Sequence, residues 1–147
     1  MAEARQERRV AAPPAAVWKI LADFDRIDEW APNVDHASAM THQTEGPGTT
    51  RRILADGQVV LERVVTWEPE RTLSYEFVGL PPVISAMTNT WAIEPDGDGS
   101  TVSLTVDVQP GPRPPMRIIA RALARRISSV NTVMLGGLAD ALEGDAS

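Results

Sequence analysis

Two hydrophobic periods divide the chain. Early on, Val17, Ile20, Leu21 and Phe24 fall at i, i+3, i+4 and i+7, one face of an α-helix, and Pro13 and Pro14 suit its first turn. From Val34 onward the period shortens to that of a strand. Segments near Val34–His42, Thr49–Ala55, Val59–Trp67, Leu73–Gly79, Met87–Glu94 and Thr101–Val108 are rich in Val, Thr, Tyr, Trp and Ile and read as strands. The stretches between them, EGPG, ADGQ, EPER, GLPP and EPDGDGS, carry the Gly, Pro and Asp that reverse a chain over few residues, so antiparallel neighbours are predicted. Another strand is predicted over Glu3–Ala12, and Asp25–Asn33 holds a second short helix or a turn, closed by Pro32.

After the break QPGPRPP the helical period returns. Met116, Ile119, Leu123, Ile127, Val130, Met134, Leu138 and Leu142 line one face of a final helix roughly 40 Å long, enough to cross a domain. Gly136 and Gly137 are costly in a helix interior and predict either a bend or a close approach to another backbone.

Composition narrows the class. With 147 residues, no repeats and no linker, one domain spanning 1–147 is expected. No apolar run reaches the ~18 residues of a spanning helix, and MAEARQERRV is charged where a signal peptide is greasy, so membrane insertion is not expected and a soluble, cytoplasmic protein is. The absence of cysteine excludes disulfides, thiolate metal sites and a cysteine nucleophile. A net charge of −6 argues against nucleic acid as a partner.

The most catalytic-looking segment is DFDRIDEW, residues 23–30, with four carboxylates and one arginine. ILADFDRI superficially matches the paired-aspartate motif of haloacid-dehalogenase-type phosphatases, but the preceding apolar residues have helical period and Lys19 lies upstream, where that chemistry needs a lysine downstream. A calcium loop fails for want of the central glycine and terminal glutamate. The segment is read as a solvated turn joining two helices, with Phe24, Ile27 and Trp30 buried and the carboxylates in water.

VWKILADFDRIDEWAPNV resembles the opening helix pair of the START-like (SRPBCC) superfamily, and EGPGTTRRI resembles the Gly-rich hairpin and following strand of its pollen-allergen and hormone-receptor branches. LERVVTWEPERTLSYEFVG is similar to two consecutive strands of the bacterial polyketide cyclase/dehydrase branch. This resemblance implies an α+β helix-grip fold. A curved antiparallel sheet of about seven strands would wrap a long C-terminal helix, with two short helices after strand 1 and a ligand cavity between sheet and helix.

Within that frame, strand alternation puts Leu73, Tyr75 and Phe77 on one face, as it does Met87, Asn89, Trp91 and Ile93, and Val102, Leu104 and Val106; these sets should face the helix. The family pattern places Asp35, Arg51, Ile53 and Glu62 inward too, and a slip of one residue would turn each outward. Asp35, Arg51 and Glu62 then form either a polar floor or ordinary surface charges. Asn89 suits either a ligand or a neighbouring backbone group through both ends of its amide. Tyr75, Phe77, Trp91, Met87, Ile127, Val130 and Met134 suit a flat or acyl ligand, or plain core.

No cofactor and no metal site is implied. His36 and His42 lie roughly 20 Å apart on a straight strand, too far for a common zinc. EGPGTT lacks the GK[ST] ending of a phosphate cradle and reads as a hairpin. Arg113, Arg117, Arg121 and Arg125, with Arg126 beside them, form a basic stripe that suits phosphate, anionic lipid or an acidic partner, or simply a solvated face.

Three functions remain open on this reading. The first is a non-covalent binder of a hydrophobic or amphipathic small molecule of lipid, polyketide or isoprenoid class. The second is a cyclase or dehydratase with Asp35 or Glu62 as base and Arg51 stabilising an enolate. The third is a protein-interaction module built on the arginine stripe.

Overall fold

The structure, a computed structural model, describes residues 2–80, 84–112 and 115–143. The element order is β1 (Ala2–Val10), α1 (Pro14–Ala22), a 3-10 segment (Phe24–Glu29), β2 (Val34–Ala39), β3 (Thr50–Ala55), β4 (Gln58–Glu68), β5 (Thr72–Val78), β6 (Ile84–Asp96), β7 (Gly99–Pro110) and α2 (Met116–Glu143). All seven strands join one antiparallel sheet in the order β1-β7-β6-β5-β4-β3-β2. This is the expected α+β helix-grip fold.

Local chemistry explains the reversals. The β3–β4 hairpin closes on Asp56 and Gly57, both at positive φ (51° and 75°) between the paired residues Ala55 and Gln58. Two left-handed residues in sequence give the tight turn whose twist matches the flanking strands. Pro14 starts α1 with its fixed φ, in the turn where its missing N–H costs nothing. Of the two proline-rich breaks, residues 81–83 and 113–114 lie outside the described residues, and the Arg113 expectation lies there with them.

The final helix, 28 residues long, packs over β1 and β7 and touches α1. Its buried side is lined with small groups, Ala120, Ala124 and Ser128, so the helix axis approaches the sheet closely there. Gln6 of β1 donates to Ser128 Oγ at 2.7 Å across that contact. The larger residues of the expected apolar face divide: Met134 and Leu138 are buried, Leu123, Ile127 and Val130 are half-buried, and Ile119 is exposed. No described helix is long and apolar enough to cross a membrane.

Two apolar clusters make the core. One gathers Phe24, Ile27, Leu73, Tyr75, Trp91, Leu104 and Leu138, and the other Ile84, Met87, Val106, Val108, Ala120 and Ala124. Phe77 packs against both. Of the inward sets read from alternation, Leu73 and Tyr75, Met87 through Ile93 by twos, and Val102 through Val106 by twos are buried, and Phe77 is half-buried.

Gly137 resolves the alternatives left by the paired glycines. A Cβ there would sit 2.5 Å from both the Trp30 carbonyl oxygen and Pro32 Cδ, whereas at Gly136 the nearest atom is Arg8 Nη1 at 4.0 Å. The first position is a close backbone approach, and the second is open. Gly137→Ala is expected to destabilise the fold by about 1–3 kcal/mol through overpacking. Gly136→Ala is expected to be neutral or to stabilise it by up to about 1 kcal/mol through helix propensity. Urea denaturation of both variants checks the contrast.

Candidate functional site

A cavity of about 420 Å³ lies between α2 and the concave face of β3 to β6. Its wall is mostly apolar: Ile27, Val34, Ile53, Val60, Phe77 and Met87 on one side, and Leu123, Ile127, Val130 and Met134 of α2 on the other. Such walls favour apolar ligands at about 25 cal/mol per Å² removed from water. Three buried polar side chains interrupt them, Glu62, Asn89 and Asn131, and Asn33 adds a third amide. The exposed residues Asp56, Gln58, Val59 and Arg126 also line the space and mark its mouth.

Glu62 is placed by its cross-strand partner. Arg51 on β3 and Glu62 on β4 are direct neighbours in the ladder and share the inward face. Arg51 Nε donates to Glu62 Oε1 at 2.7 Å, with both side chains about 3–4% exposed. A second guanidinium nitrogen, Nη1, donates to the Phe24 carbonyl at 2.8 Å. The guanidinium carbon stands 3.7 Å from the Phe24 ring centre and 4.7 Å from that of Tyr75. Arg51 is therefore bordered on adjacent sides by two aromatic rings that meet edge to face, and it lies behind Glu62 rather than in the cavity wall.

The amides form the opposite polar feature. Asn131 Nδ2 donates to Asn89 Oδ1 at 3.1 Å, and Asn89 Nδ2 donates back to Asn131 Oδ1 at 3.4 Å. Asn89 Nδ2 also lies 3.5 Å from the Tyr75 hydroxyl oxygen. The reciprocal pair leaves Asn131 a second N–H and spare lone pairs for a guest. Asn33 Oδ1 is buried and has no hydrogen-bond partner among the described residues, an acceptor of the kind that a native interior rarely leaves unused.

The site residues expected from sequence fall into three groups. Ile53, Glu62, Phe77, Met87, Asn89, Ile127, Val130 and Met134 line the cavity. Arg51, Tyr75 and Trp91 are buried just behind it, so an enolate in the cavity would not meet Arg51, contrary to the role anticipated for it. Asp35 is exposed, which overturns its inward placement. Counting back by twos from Ala37 reaches Asp35, but a bulge between Val34 and His36 inserts an extra residue and gives the inward place to Val34. Asn131 was missed because it sits inside an apolar helix. The available signal was the series Ala120, Ala124, Ser128 and Asn131, small or polar groups spaced by four, four and three on one buried arc.

The remaining candidates sit apart from the cavity. His36 and His42 are exposed, and no group of three His, Asp or Glu among the described residues is arranged to hold a metal ion. Of the acidic segment, Asp23, Asp28 and Glu29 are exposed and Asp25 is half-buried, while Phe24 and Ile27 are buried. Trp30 is half-buried, its ring 5.9 Å from Trp91 in an edge contact. The contribution of this segment to the site is thus the Phe24 ring and carbonyl and the Ile27 side chain, not its carboxylates.

Tyr75 reports on this environment. Burial away from water, then the nearby Glu62 carboxylate, pushes its phenol up to about 12, with Arg51 and hydrogen bonds from Trp91 and Asn89 acting in the opposite sense. Between about pH 10 and about pH 12 the unfolded chain releases a proton that the folded chain keeps, so stability is intact below pH 10 and falls as pH rises through that window. Tyr75 is the only tyrosine, so phenolate absorbance isolates it. Titration of the native protein is expected to give a midpoint near 12 and titration in guanidinium one near 10. A native midpoint near 10 would show that the phenol is solvated.

Residues 1–143 match the profile of the family described as polyketide cyclase/dehydrase and lipid transport. The chain is 32% identical over 107 residues to the actinorhodin polyketide synthase bifunctional cyclase/dehydratase of Streptomyces coelicolor, covering 67% of this chain and about a third (32%) of that relative's length. Among solved structures, a Thermobifida fusca protein aligns with TM-score 0.80 at 29% identity, covering 97% of this chain and 93% of that one. The Zhui aromatase/cyclase of Streptomyces sp. R1128 aligns with TM-score 0.68 at 20% identity over 95% and 94% of the two chains. The di-domain aromatase/cyclase StfQ of the steffimycin biosynthetic pathway aligns with TM-score 0.79 at 16% identity, covering 99% of this chain and 52% of that one. With its whole folded length matched, from β1 to the end of α2, the chain belongs to the polyketide cyclase/dehydrase and lipid transport family.

Proposed function

We propose that the protein binds a hydrophobic or amphipathic small molecule, of lipid, polyketide or isoprenoid class, in the cavity between sheet and α2. The observation that carries this reading is the cavity of about 420 Å³, apolar along most of its wall and polar at Glu62, Asn89, Asn131 and Asn33. A volume of that size suits a ligand of some tens of heavy atoms at most, and the amides and carboxylate select one that places hydroxyl or carbonyl groups against them. Burial of the apolar part supplies affinity, and hydrogen bonds to the polar part supply orientation.

Native mass spectrometry of freshly purified protein is expected to reveal a bound small molecule, and titration with fatty acids or polycyclic phenols to change the tryptophan emission. Val130→Trp, which fills the space from the helix side, is expected to abolish both signals while the fold persists by circular dichroism. Asn131→Leu is expected to weaken hydroxylated ligands by about tenfold and leave purely hydrocarbon ones unaffected. Absence of binding by every ligand class, together with no effect of Val130→Trp, would sink the proposal.

A catalytic reading is favoured by one specific feature. Glu62 lines the cavity, its Oε1 is held by Arg51, and it makes no second hydrogen bond among the described residues, which leaves its other oxygen available to a guest. A carboxylate so placed suits removal of a proton next to a substrate carbonyl, the step that cyclisation and dehydration share. The family resemblance to a cyclase/dehydratase points the same way. Glu62→Gln keeps the Arg51 contact and is expected to abolish turnover of a poly-β-ketone substrate while sparing its affinity; unchanged turnover would remove Glu62 as the base.

A further inference from the structure

The first half of α2 has a surface that the cavity does not explain. Arg117, Arg121, Arg125 and Arg126 are all exposed, and none forms an ion pair among the described residues. No acidic residue occurs in the helix before Asp140, in a chain whose net charge is −6. Among these arginines stand Ile118, 74% exposed, and Ile119, 39% exposed. At about 100° per residue the four cations and two isoleucines cover an arc of roughly 200° of the helix. Ile119 also lies one turn before Leu123 on the row that continues through Ile127 and Val130 along the cavity wall, and Arg126 lines the mouth.

We propose that this half of α2 docks on an anionic lipid bilayer, with Ile118 and Ile119 at the acyl boundary and the arginines on lipid phosphates. Interleaved cations and exposed aliphatic groups on one helix are the composition that holds a helix in a membrane interface. A fluid bilayer follows a convex surface whose charges span half a cylinder, whereas a rigid acidic protein meets only part of that arc. Docked this way, the Arg126 side of the mouth adjoins the bilayer, and an apolar guest moves between lipid and cavity along the Ile119 to Val130 row. The purpose so assigned rests on the ligand-binding reading. Membrane docking itself does not, and it is measured on the protein without any added ligand.

The test is sedimentation of the full chain with vesicles of phosphatidylcholine alone and of phosphatidylcholine with phosphatidylglycerol at about three to one. Binding to the anionic vesicles only is expected, and it should largely disappear in about 0.5 M salt, where charges are screened within a few ångströms. The triple variant Arg117→Gln, Arg121→Gln, Arg125→Gln is expected to bind about a hundredfold more weakly, as three basic side chains near an anionic surface require. Ile118→Ser, which keeps every charge, is expected to lose about tenfold. Both variants alter exposed positions, and an unchanged thermal melt confirms their folding. No sedimentation with anionic vesicles overturns the proposal and leaves the arginines to an acidic protein. Sedimentation unaffected by Ile118→Ser also overturns it, since bare charge attraction would then suffice. Ligand titration in vesicle-free solution keeps its own outcome in every case.

Discussion

A guanidinium and a carboxylate buried side by side govern the geometry of the site. Removing both charges from water costs several kcal/mol each, and the cost is offset only where every partner is well placed. Here most of the offset comes from the 2.7 Å bond between Arg51 and Glu62, the 2.8 Å bond to the Phe24 carbonyl and the two aromatic rings beside the guanidinium, while Nη2 has no hydrogen-bond partner among the described residues. These contacts join β3, β4, β5 and the 3-10 segment, so the pair fixes how the segment after α1 sits on the sheet. They also hold the Glu62 carboxylate at the cavity wall, where an unpaired charge would draw in water or turn outward. The raised pKa of Tyr75 belongs to the same arrangement, because its ring covers Arg51 while its hydroxyl sits in the field of Glu62.

The cavity follows from a division of labour on α2. Ala120, Ala124, Ser128 and Gly137 let the helix press close, the first three on its buried side and the last against the backbone at Trp30. The longer side chains Leu123, Ile127, Val130 and Met134 then point into the space over β3 to β6, where the curved sheet falls away from the helix. A helix with large residues all round its inner arc would stand off evenly and leave no such hollow. The two apolar clusters meet at Phe77, whose ring lines the cavity between them.

Much of the fold was legible because period and turn chemistry act locally. The strands, the antiparallel order and the buried parity of β5, β6 and β7 all follow from alternation and from short Gly, Pro and Asp connections, and the Asp56–Gly57 turn could be anticipated from ADGQ alone. Asp35 was not legible, because a single bulged residue in β2 reverses the parity of what precedes it and no residue type announces it. For Arg51, alternation gives the inward face and not its burial behind the cavity wall. Alternation reports the side of a sheet and is blind to Phe24 and Tyr75 closing over a side chain from elsewhere in the chain. Asn131 illustrates the converse: its pairing with Asn89 joins residues 42 positions apart and becomes visible only when helix and sheet are brought together.

The placement of Arg51 limits the chemistry available to the cavity. A guanidinium in the wall would supply a positive charge to a developing enolate, as an oxyanion stabiliser must do at hydrogen-bond distance. With Arg51 sealed behind Glu62, the buried groups left to meet such charge are the N–H donors of Asn131 and Asn89, neutral and partly committed to each other, and the Arg126 guanidinium stands out at the mouth. Deep in the cavity, proton transfer would therefore rest on Glu62 acting with two weakly polarising amides. The same three side chains, left without a reactive guest, are what a binding site needs to hold a hydroxyl or carbonyl in a fixed orientation. The difference between carrier and catalyst in this site thus turns on where a substrate carbon would stand relative to that carboxylate, in a space that Phe77, Val130 and Met134 also line.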